Sequence, residues 1–297
     1  MAPRISVVIP TIEEESLFGI IAELRRKLGR SVEIIVVDKS SDKYYNRVRA
    51  TGVTVLRQKD KGVENALMQG LRAAHGNILV STDADGTHGM EGIYSGIKLV
   101  EQGRADLVLG NRFGKLHKGS MQSYIRFGNT ALSKIYSIVY KNKIKDVLTG
   151  LFVMRRSAFD SMRNTAPYRA GIAFFAIELA NRGYKIVEVP ISYYPREQGL
   201  SKLTSSKLFY GFNVASHMIR MARDYNPLLV FGGIGAVLIV IGALLGIYVL
   251  YSYLATGVFT LIGRALIAFV LVIVGILAII AGFIIDLLVE IEKKLRK

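Results

Sequence analysis

Two carboxylates, separated by a single residue, end a short apolar run. The run is Asn77–Thr82, and the carboxylates are Asp83 and Asp85. Alternate residues of a strand point to the same face, so both side chains would meet at the carboxyl edge of a sheet. Carboxylates held this close repel each other unless a cation lies beside them. The pattern therefore indicates a Mg²⁺ or Mn²⁺ site that substrate phosphates complete, with an acidic turn before a helix as the simpler alternative.

Another acidic residue, Asp38, closes the apolar run that starts at Ile34. An acid after the second strand is typical of dinucleotide-binding dehydrogenases. In those proteins a glycine-rich turn follows the first strand, whereas here the corresponding segment is Pro10–Glu14, without glycine. The sequence therefore lacks that phosphate cradle, and it remains compatible with a nucleotide whose phosphates are held by a metal at Asp83 and Asp85.

The elements that must position these residues are visible as an alternation of strand-like and helix-like segments over residues 1–110. This alternation predicts an α/β fold with a mainly parallel sheet and helices on both faces. Glycines between the segments mark the turns. Predicted strands lie at Ile5–Ile9, Glu33–Val37, Val53–Leu56, Asn77–Thr82 and Asp106–Leu109, and predicted helices lie around 14–28, 62–75 and 89–102.

Residues 111–200 have a more mixed pattern. Helices are predicted near 121–140 and 172–182, and short strands at Leu151–Met154 and Lys185–Val189. Pro190 is predicted to stop the last strand, because proline cannot donate to a ladder of hydrogen bonds.

Two long apolar stretches occupy the C-terminal part of the chain. Residues 225–263 and 265–285 contain no charged residue. Each stretch is long enough to cross a bilayer as a helix, so transmembrane helices are predicted at roughly 228–252 and 261–287. A buried helical hairpin is the alternative, but it needs a covering layer that the rest of the sequence does not supply.

The segment before the first predicted span has the spacing of an amphipathic helix. Between 201 and 226, apolar residues recur every three or four positions with basic residues among them. This predicts a helix on the membrane surface, leading into a two-helix hairpin at 227–290 and a basic tail at 291–297. Basic residues flank the hairpin on both sides and only Arg264 lies in its loop, so the positive-inside rule predicts that both ends are cytoplasmic.

The chain carries a net charge of +16 and no cysteine. No nucleic-acid-binding motif accompanies the positive charge, so no nucleic acid is expected as a partner. Anionic lipid head groups and a phosphorylated substrate account for a basic balance equally well. The lack of cysteine excludes disulfides and zinc–thiolate sites.

Several short motifs occur in a specific order along the chain: Val7–Thr11, Val36–Asp38, Thr82–Thr87, Gly110–Phe113, Arg196–Lys202 and Asn226–Leu228. Together they resemble family-2 glycosyltransferases of the dolichol-phosphate mannose synthase type. Within that family the chain is most similar to archaeal enzymes that load the first sugar, a hexose or N-acetylglucosamine, onto dolichol phosphate. Each motif alone is weak, but the ordered set is specific and covers residues 5–230.

The resemblance implies a Rossmann-like glycosyltransferase domain of the A type over residues 1–200, on the cytoplasmic face of the cell membrane. It implies catalytic roles for Asp83, Asp85, Arg112, Arg196 and Lys202. The implied nucleotide pocket is formed by Pro10, Thr11, Glu13, Asp38, Asp83, Ala84 and Asp85. The implied metal ligands are Asp85 and Asp83, with Thr87 or His88 as further candidates. The acceptor phosphate would be bound by Arg112, Arg126, Arg196, Ser201 and Lys202, and Glu178 is a candidate acid facing the sugar.

The implied activity is transfer of a sugar, with inversion, from a nucleotide sugar to dolichol or polyprenyl phosphate, feeding protein glycosylation or cell-surface glycan assembly. UDP-N-acetylglucosamine or UDP-glucose is the favoured donor, and GDP-mannose is the alternative. The base stays open because Ile12-Glu13, Asp38-Lys39 and Thr87 depart from the family pattern.

Two rival functions remain. A processive polysaccharide synthase usually has more spans and a tryptophan motif, and this chain has no tryptophan. The other rival is a non-catalytic, membrane-anchored nucleotide-sugar binding protein. Glycines in the first predicted span would also allow a homo-oligomer through the transmembrane helices.

Overall fold

The computed structural model describes residues 4–140, 142–162, 171–196, 216, 223, 226–258 and 261–295. It divides into two compact units, Met1–Gly211 and Phe212–Lys297. The amphipathic segment predicted at 201–226 lies outside the described residues, apart from three of its positions.

A seven-stranded sheet forms the centre of the first unit, in the order β3-β2-β1-β4-β6-β5-β7. β6 runs antiparallel to both of its neighbours, and the other pairings are parallel. The strands are β1 (Ile5–Thr11), β2 (Glu33–Asp38), β3 (Thr54–Arg57), β4 (Ile78–Ser81), β5 (Leu107–Leu116), β6 (Phe152–Arg155) and β7 (Ile186–Tyr193).

Seven helices of this unit are described. They are α1 (Ser16–Leu28), α2 (Asp42–Ala50), α3 (Val63–Ala73), α4 (Glu91–Glu101), α5 (Ser123–Tyr140), α6 (Arg156–Met162) and α7 (Gly171–Asn181). α3 packs closely on the sheet because Gly70 has no side chain: a Cβ there would lie 2.3 Å from Val8 Cγ1. Gly96 of α4 packs in the same way, with 2.7 Å to Val153 Cγ2. The predicted α/β fold is thereby confirmed, as a mixed sheet.

Several elements differ from the sequence-based expectation. β5 continues to Leu116, beyond the end predicted at Leu109. Pro190 does not stop β7, which continues to Tyr193. Among the described strands β7 pairs with β5 alone, and its other side makes an isolated bridge between Tyr193 and His88, beyond Pro190. Such an edge strand tolerates proline because its outer side has no continuous ladder. The ladder becomes irregular just after the Asn111–Pro190 pair. α2 and α6 were not predicted, because both are short and bury few apolar side chains.

The second unit contains α8 (Pro227–Thr256) and α9 (Ile262–Leu295), two candidate membrane spans. Only 11% and 17% of their most apolar windows are buried, unlike the core helices of a soluble protein. Their backbones meet at glycines: a Cβ at Gly235 would lie 2.4 Å from the carbonyl oxygen of Gly275. The two predicted apolar helices are confirmed, and α9 extends through most of the segment predicted as a tail.

Candidate active site

The carboxyl edge of the sheet brings the ends of β1, β2 and β4 together. β1 lies between β2 and β4, so the strand order reverses at this point. Such a reversal opens a crevice beyond the strand ends, where open α/β sheets bind ligands. Pro10 and Thr11 end β1, Asp38 ends β2, and Asp83 lies just beyond β4. The structure therefore places these predicted residues at one edge of the sheet.

Asp85 is held by hydrogen bonds from two residues. Its Oδ1 accepts from the backbone N–H and the hydroxyl of Thr87, at 3.1 and 2.8 Å. Its Oδ2 accepts from Nε and Nη2 of Arg196, at 3.2 and 2.8 Å. Burial alone would raise the pKa of Asp85, but the bonds from Thr87 and the nearby positive charges outweigh it, so the pKa lies below its ordinary value. Asp85 is thus ionised and fixed in orientation at neutral pH.

Asp83 lies against the backbone of Gly150. A Cβ at Gly150 would lie 2.4 Å from Asp83 Oδ2, so only glycine leaves room for this carboxylate. His88 Nδ1 lies 3.7 Å from the same oxygen. The Asp83 side chain is 43% exposed, and reduced hydration and the charge of Asp85 raise the pKa of its carboxyl, while His88 and nearby arginines act in the opposite direction. Burial lowers the pKa of His88, so its imidazole is neutral at pH 7.

The oxygen donors at this edge fit a hard divalent cation that a substrate completes. Among the described residues, no three acidic, histidine or cysteine side chains converge into a closed cage. Mg²⁺ at phosphate sites commonly takes one or two carboxylates, with substrate phosphates and water in its remaining positions. The Arg196 guanidinium already lies on Asp85 Oδ2, so this oxygen has a cation as its partner.

The two further candidate ligands differ in their surroundings. The Thr87 hydroxyl donates to Asp85, so it orients that carboxylate. The His88 side chain is only 2% exposed, and its Nδ1 makes no hydrogen bond to a described residue. Ligation of a metal by Thr87 or His88 stays a prediction.

Asp38 is fully buried, and its carboxylate is engaged by the loop that follows β2. Oδ1 accepts from the backbone and the hydroxyl of Ser40, and Oδ2 accepts from Arg57 Nη1 at 3.1 Å. The Ser40 hydroxyl accepts from the backbone N–H of Glu13 at 2.7 Å. Glu13 has a positive φ of 48° and accepts from Ser41 N–H at 3.2 Å. Asp38 therefore shapes the pocket wall through Ser40 and Arg57, and its direct contact with a nucleotide stays a prediction.

Arg112 is paired with Asp146, an acid that sequence reasoning missed. Nε and Nη2 of Arg112 each lie 2.7 Å from one oxygen of Asp146, and Nη2 also donates to the carbonyl of Leu148. Burial alone would lower the pKa of Arg112, but the fully buried Asp146 carboxylate more than offsets it and raises the pKa. A phosphate bound by Arg112 would have to share the guanidinium with Asp146.

A basic pocket of about 350 Å³ adjoins this ion pair. Phe113 and Lys145, the neighbours of Arg112 and Asp146 in sequence, both line it. Arg126, predicted to bind the acceptor phosphate, also lies in its wall, while the three added lysines were missed. The lining residues are Phe113, Arg126, Thr130, Ser133, Lys134, Ser137, Lys143, Ile144 and Lys145.

The segment 143–150, which we call the linking loop, runs from this pocket to Asp83. Glu188 of β7 anchors it by accepting from the backbone N–H groups of Lys145 and Asp146, at 2.9 and 2.8 Å. Its far end is Gly150, beneath Asp83. The linking loop therefore connects the acidic edge with the basic pocket.

Glu178 lies on α7 and is buried. Its Oε1 accepts from Nε and Nη2 of Arg182, at 2.8 and 2.5 Å. Arg182 also donates to the carbonyl of Ser161 on α6, so this ion pair ties the two helices together. A catalytic role for Glu178 stays a prediction, and Ser201 and Lys202 lie outside the described residues.

Comparison with known proteins identifies the family to which this chain belongs. Residues 6–163 match the model of glycosyl transferase family 2. The chain is 31% identical to the dolichyl-phosphate hexose transferase of Haloferax volcanii, over 65% of this chain and 83% of that one. It is 28% identical to the dolichol-phosphate mannosyltransferase of Pyrococcus furiosus, over 78% and 68% of the respective chains.

A solved structure shares the fold. It is glucosyl-3-phosphoglycerate synthase from Mycobacterium tuberculosis, in complex with Mn²⁺, UDP and phosphoglyceric acid. The TM-score is 0.55 at 19% identity, and the likeness covers 74% of this chain and 78% of that one. The family model spans more than half of the chain and includes Asp38, Asp83, Asp85 and Gly150. The chain therefore belongs to glycosyl transferase family 2.

Proposed function

We propose that the protein transfers a sugar from a nucleotide sugar to a polyprenyl phosphate at a membrane surface. The observation that carries the proposal is the pairing of an acidic sheet edge with a basic pocket through the linking loop. One reactant is a diphosphate whose leaving group needs a cation, and the other is a phosphate that needs positive charge. The two relatives named above act, by their names, on dolichyl or dolichol phosphate.

The acidic edge is the donor half of the proposed site. Asp85 and Asp83 would hold Mg²⁺ or Mn²⁺, which when bound offsets the charge of the departing diphosphate. Thr87 keeps Asp85 in position, and Gly150 leaves room for the Asp83 carboxylate because it has no side chain. The ends of β1 and β2, with Thr11, Glu13 and Asp38, would line the nucleoside.

The basic pocket is the acceptor half. Its accessible lining is mostly apolar, and Arg126 and three lysines supply the positive charge that suits phosphate oxygens. A phosphate monoester has a second pKa of about 6, so it is largely dianionic at pH 7 and needs no strong protein base to attack. A single in-line displacement at the anomeric carbon inverts its configuration. The protein's task is to bring two anions together in this geometry.

Helix α5 fits a membrane surface next to the acceptor half. It exposes four large apolar side chains at three- and four-residue intervals around the small Ala131, a spacing that forms one stripe. These residues are Tyr124, Phe127, Ile135 and Ile138. Its residues Arg126 and Lys134 line the pocket. A stripe of this kind beside cations is typical of interfacial helices, so a lipid phosphate could enter from the bilayer. The two apolar helices α8 and α9 would anchor the chain there.

The experiment that tests the proposal uses the full chain, purified in detergent, with dolichyl phosphate and Mg²⁺ or Mn²⁺. Labelled UDP-N-acetylglucosamine, UDP-glucose and GDP-mannose are offered separately, and lipid-linked product is extracted. We expect product from a UDP sugar. Product from GDP-mannose alone would establish the alternative donor, and a polymer in place of a glycolipid would indicate a synthase.

The matched variant is Asp85→Asn, which keeps the size of the side chain and removes its charge. We expect turnover to fall by about a hundredfold or more, because a neutral amide is a weak ligand for a hard cation. If the unmodified chain binds the donor but forms no product, the protein is instead a non-catalytic nucleotide-sugar binding protein. Normal turnover of Asp85→Asn would remove Asp85 from the metal site.

A further inference from the structure

Arg196 occupies an oxygen that the proposed metal needs. Its Nε and Nη2 both donate to Oδ2 of Asp85, and the other oxygen is engaged by Thr87. The carboxylate of Asp85 is therefore already satisfied on both sides. Oδ2 already accepts two N–H groups, one for each of its lone-pair sites, so a divalent cation that binds this oxygen must displace at least one of them.

The surroundings of Arg196 also contain a second anchor. Nη2 lies 3.5 Å from Oε1 of Glu14, in the loop between β1 and α1. The side chains of Arg196, Asp85 and Glu14 are only 22%, 15% and 13% exposed, so solvent screens these ion pairs weakly. An arginine released from Asp85 would remain close to the edge of the sheet, held by Glu14.

The charge at this edge would change if a donor complex bound. Asp85 and Asp83 would hold the cation, which would supply positive charge to the diphosphate and to Asp85. Arg196 would then carry positive charge that Asp85 no longer offsets. A dianionic phosphate is the ligand that a planar guanidinium fork matches best.

Resting on the function proposed above, we propose that Arg196 is a placeholder cation that makes substrate binding ordered. It neutralises Asp85 until the cation of the donor complex displaces it. Arg196 can join the cations of the basic pocket in binding the acceptor phosphate only after it has been displaced from Asp85. The donor must therefore bind before the acceptor, and an empty site holds the acceptor weakly.

The first test measures Mn²⁺ binding to the full chain in detergent, without nucleotide, from the paramagnetic resonance signal of free Mn²⁺. Arg196→Gln removes the competing charge, so we expect its dissociation constant for Mn²⁺ to be about tenfold lower than that of the unmodified chain. Arg155→Gln is the matched control, because Arg155 pairs with Asp106 elsewhere in the sheet. Arg196→Lys keeps the charge without the fork and should fall between the two.

The second test measures binding of a short polyprenyl phosphate, with and without Mn²⁺ and UDP. We expect Mn²⁺ with UDP to strengthen binding about tenfold in the unmodified chain and not at all in Arg196→Gln. Equal Mn²⁺ affinity in Arg196→Gln and the unmodified chain would overturn the placeholder. Equal acceptor affinity with and without Mn²⁺ and UDP would overturn the ordering.

Asp85→Asn separates failure of this inference from failure of the proposed function. If Asp85→Asn abolishes Mn²⁺ binding while Arg196→Gln leaves it unchanged, the metal site stands and the placeholder alone is wrong. If Asp85→Asn leaves Mn²⁺ binding unchanged, the metal site and the placeholder are both wrong.

Discussion

The position of Asp83 depends on Gly150, which is far from it in sequence. The carboxylate lies where the side chain of any other residue at position 150 would begin. This contact comes from a loop between α5 and β6, whereas Asp83 comes from the end of β4. An acidic site on a sheet edge is thus shaped as much by a missing side chain as by its own carboxylates.

We expect Gly150→Ala to lower turnover by about a hundredfold, because the new methyl group must push Asp83 away from its position. The measurement is initial rate with dolichyl phosphate and the active nucleotide sugar, alongside thermal stability. Gly19→Ala is the control, since a Cβ at Gly19 in α1 meets nothing within 4 Å. Alanine at Gly19 should leave turnover unchanged. Equal rates in both variants would show that Asp83 need not stay where it is.

Sequence reasoning found the residues of the site that lie at strand ends and missed those whose role depends on a loop. Asp83 and Asp85 were predictable because they closely follow the apolar run of β4, although β4 ends at Ser81 and both lie in the loop beyond it. Asp146 and Gly150 carry no such local signal. Arg112 was predicted from a resemblance to a family. Its partner Asp146 was not predicted, because the two residues meet only through the packing of the linking loop against β5.

At the scale of elements, the linking loop is the part that joins the two halves of the site. It is fixed from three sides: Arg112 on β5, Glu188 on β7, and Ser133 on α5, whose hydroxyl accepts from the backbone N–H of Val147. The ionised form of Glu188 lowers the stability of the folded chain. Burial raises the pKa of its carboxyl, and Asp146 lies close by with the same charge.

We expect Glu188→Gln to raise the melting temperature of the full chain in detergent at pH 7–8. The folded pKa of Glu188 is raised, so its ionised form favours the unfolded chain, and wild type loses stability as pH rises from the unfolded pKa through the folded one. The gain of Glu188→Gln should therefore be full above the folded pKa and vanish below the unfolded value. Glutamine still offers an oxygen to both backbone N–H groups.

Asp160→Asn on α6 is the control for this measurement, because Asp160 is exposed and its substitution removes the same charge. Glu188→Ala should instead be destabilising by about 1–3 kcal/mol at every pH, since two backbone donors lose their acceptor. A gain of Glu188→Gln that grew toward acid pH would contradict the direction of the shift.

The elements themselves were largely predictable, and the exceptions have physical causes. Amphipathic helices such as α1 and α4 have a clear period, which decides both their type and their buried face. The central strands β1, β2 and β4 are instead short, continuous apolar runs without alternation, and their length and the turn residues around them identified them. α2 buries only Tyr44 and Val48, too few for a period to emerge. The continuation of β7 through Pro190 depends on its being an edge strand, and edge position is a property of the sheet as a whole.

At the scale of the whole molecule, the chain combines a catalytic unit with a pair of apolar helices. The pair packs on itself through small residues: a Cβ at Gly242 would lie 2.8 Å from the carbonyl oxygen of Ala268. Gly233, by contrast, has nothing within 4 Å. The glycines predicted to serve an oligomer are thus partly used within one chain, and assembly through the remaining ones stays a prediction.

We expect α8 and α9 to cross the membrane with their connection on the extracytoplasmic side, as the charge distribution predicts. Because the chain has no cysteine, Thr256→Cys gives a single label site. In right-side-out vesicles it should react with an impermeant maleimide, whereas Arg30→Cys, in the turn between α1 and β2, should react only after permeabilisation. Labelling of Thr256→Cys only after permeabilisation would contradict the two-span arrangement.

The position of β6 in the sheet has a consequence for how the protein is made. β5 leaves the ribosome before β6, yet β6 lies between β5 and β4 in the finished sheet. A nascent chain ending after β5 therefore has only half a sheet, with β4 as its open edge and β5 unable to take its final place. The later strands then join together through contacts distant in sequence, which form slowly. Because Gly150 lies just before β6, the edge that holds Asp83 is completed only after this late region has been synthesised.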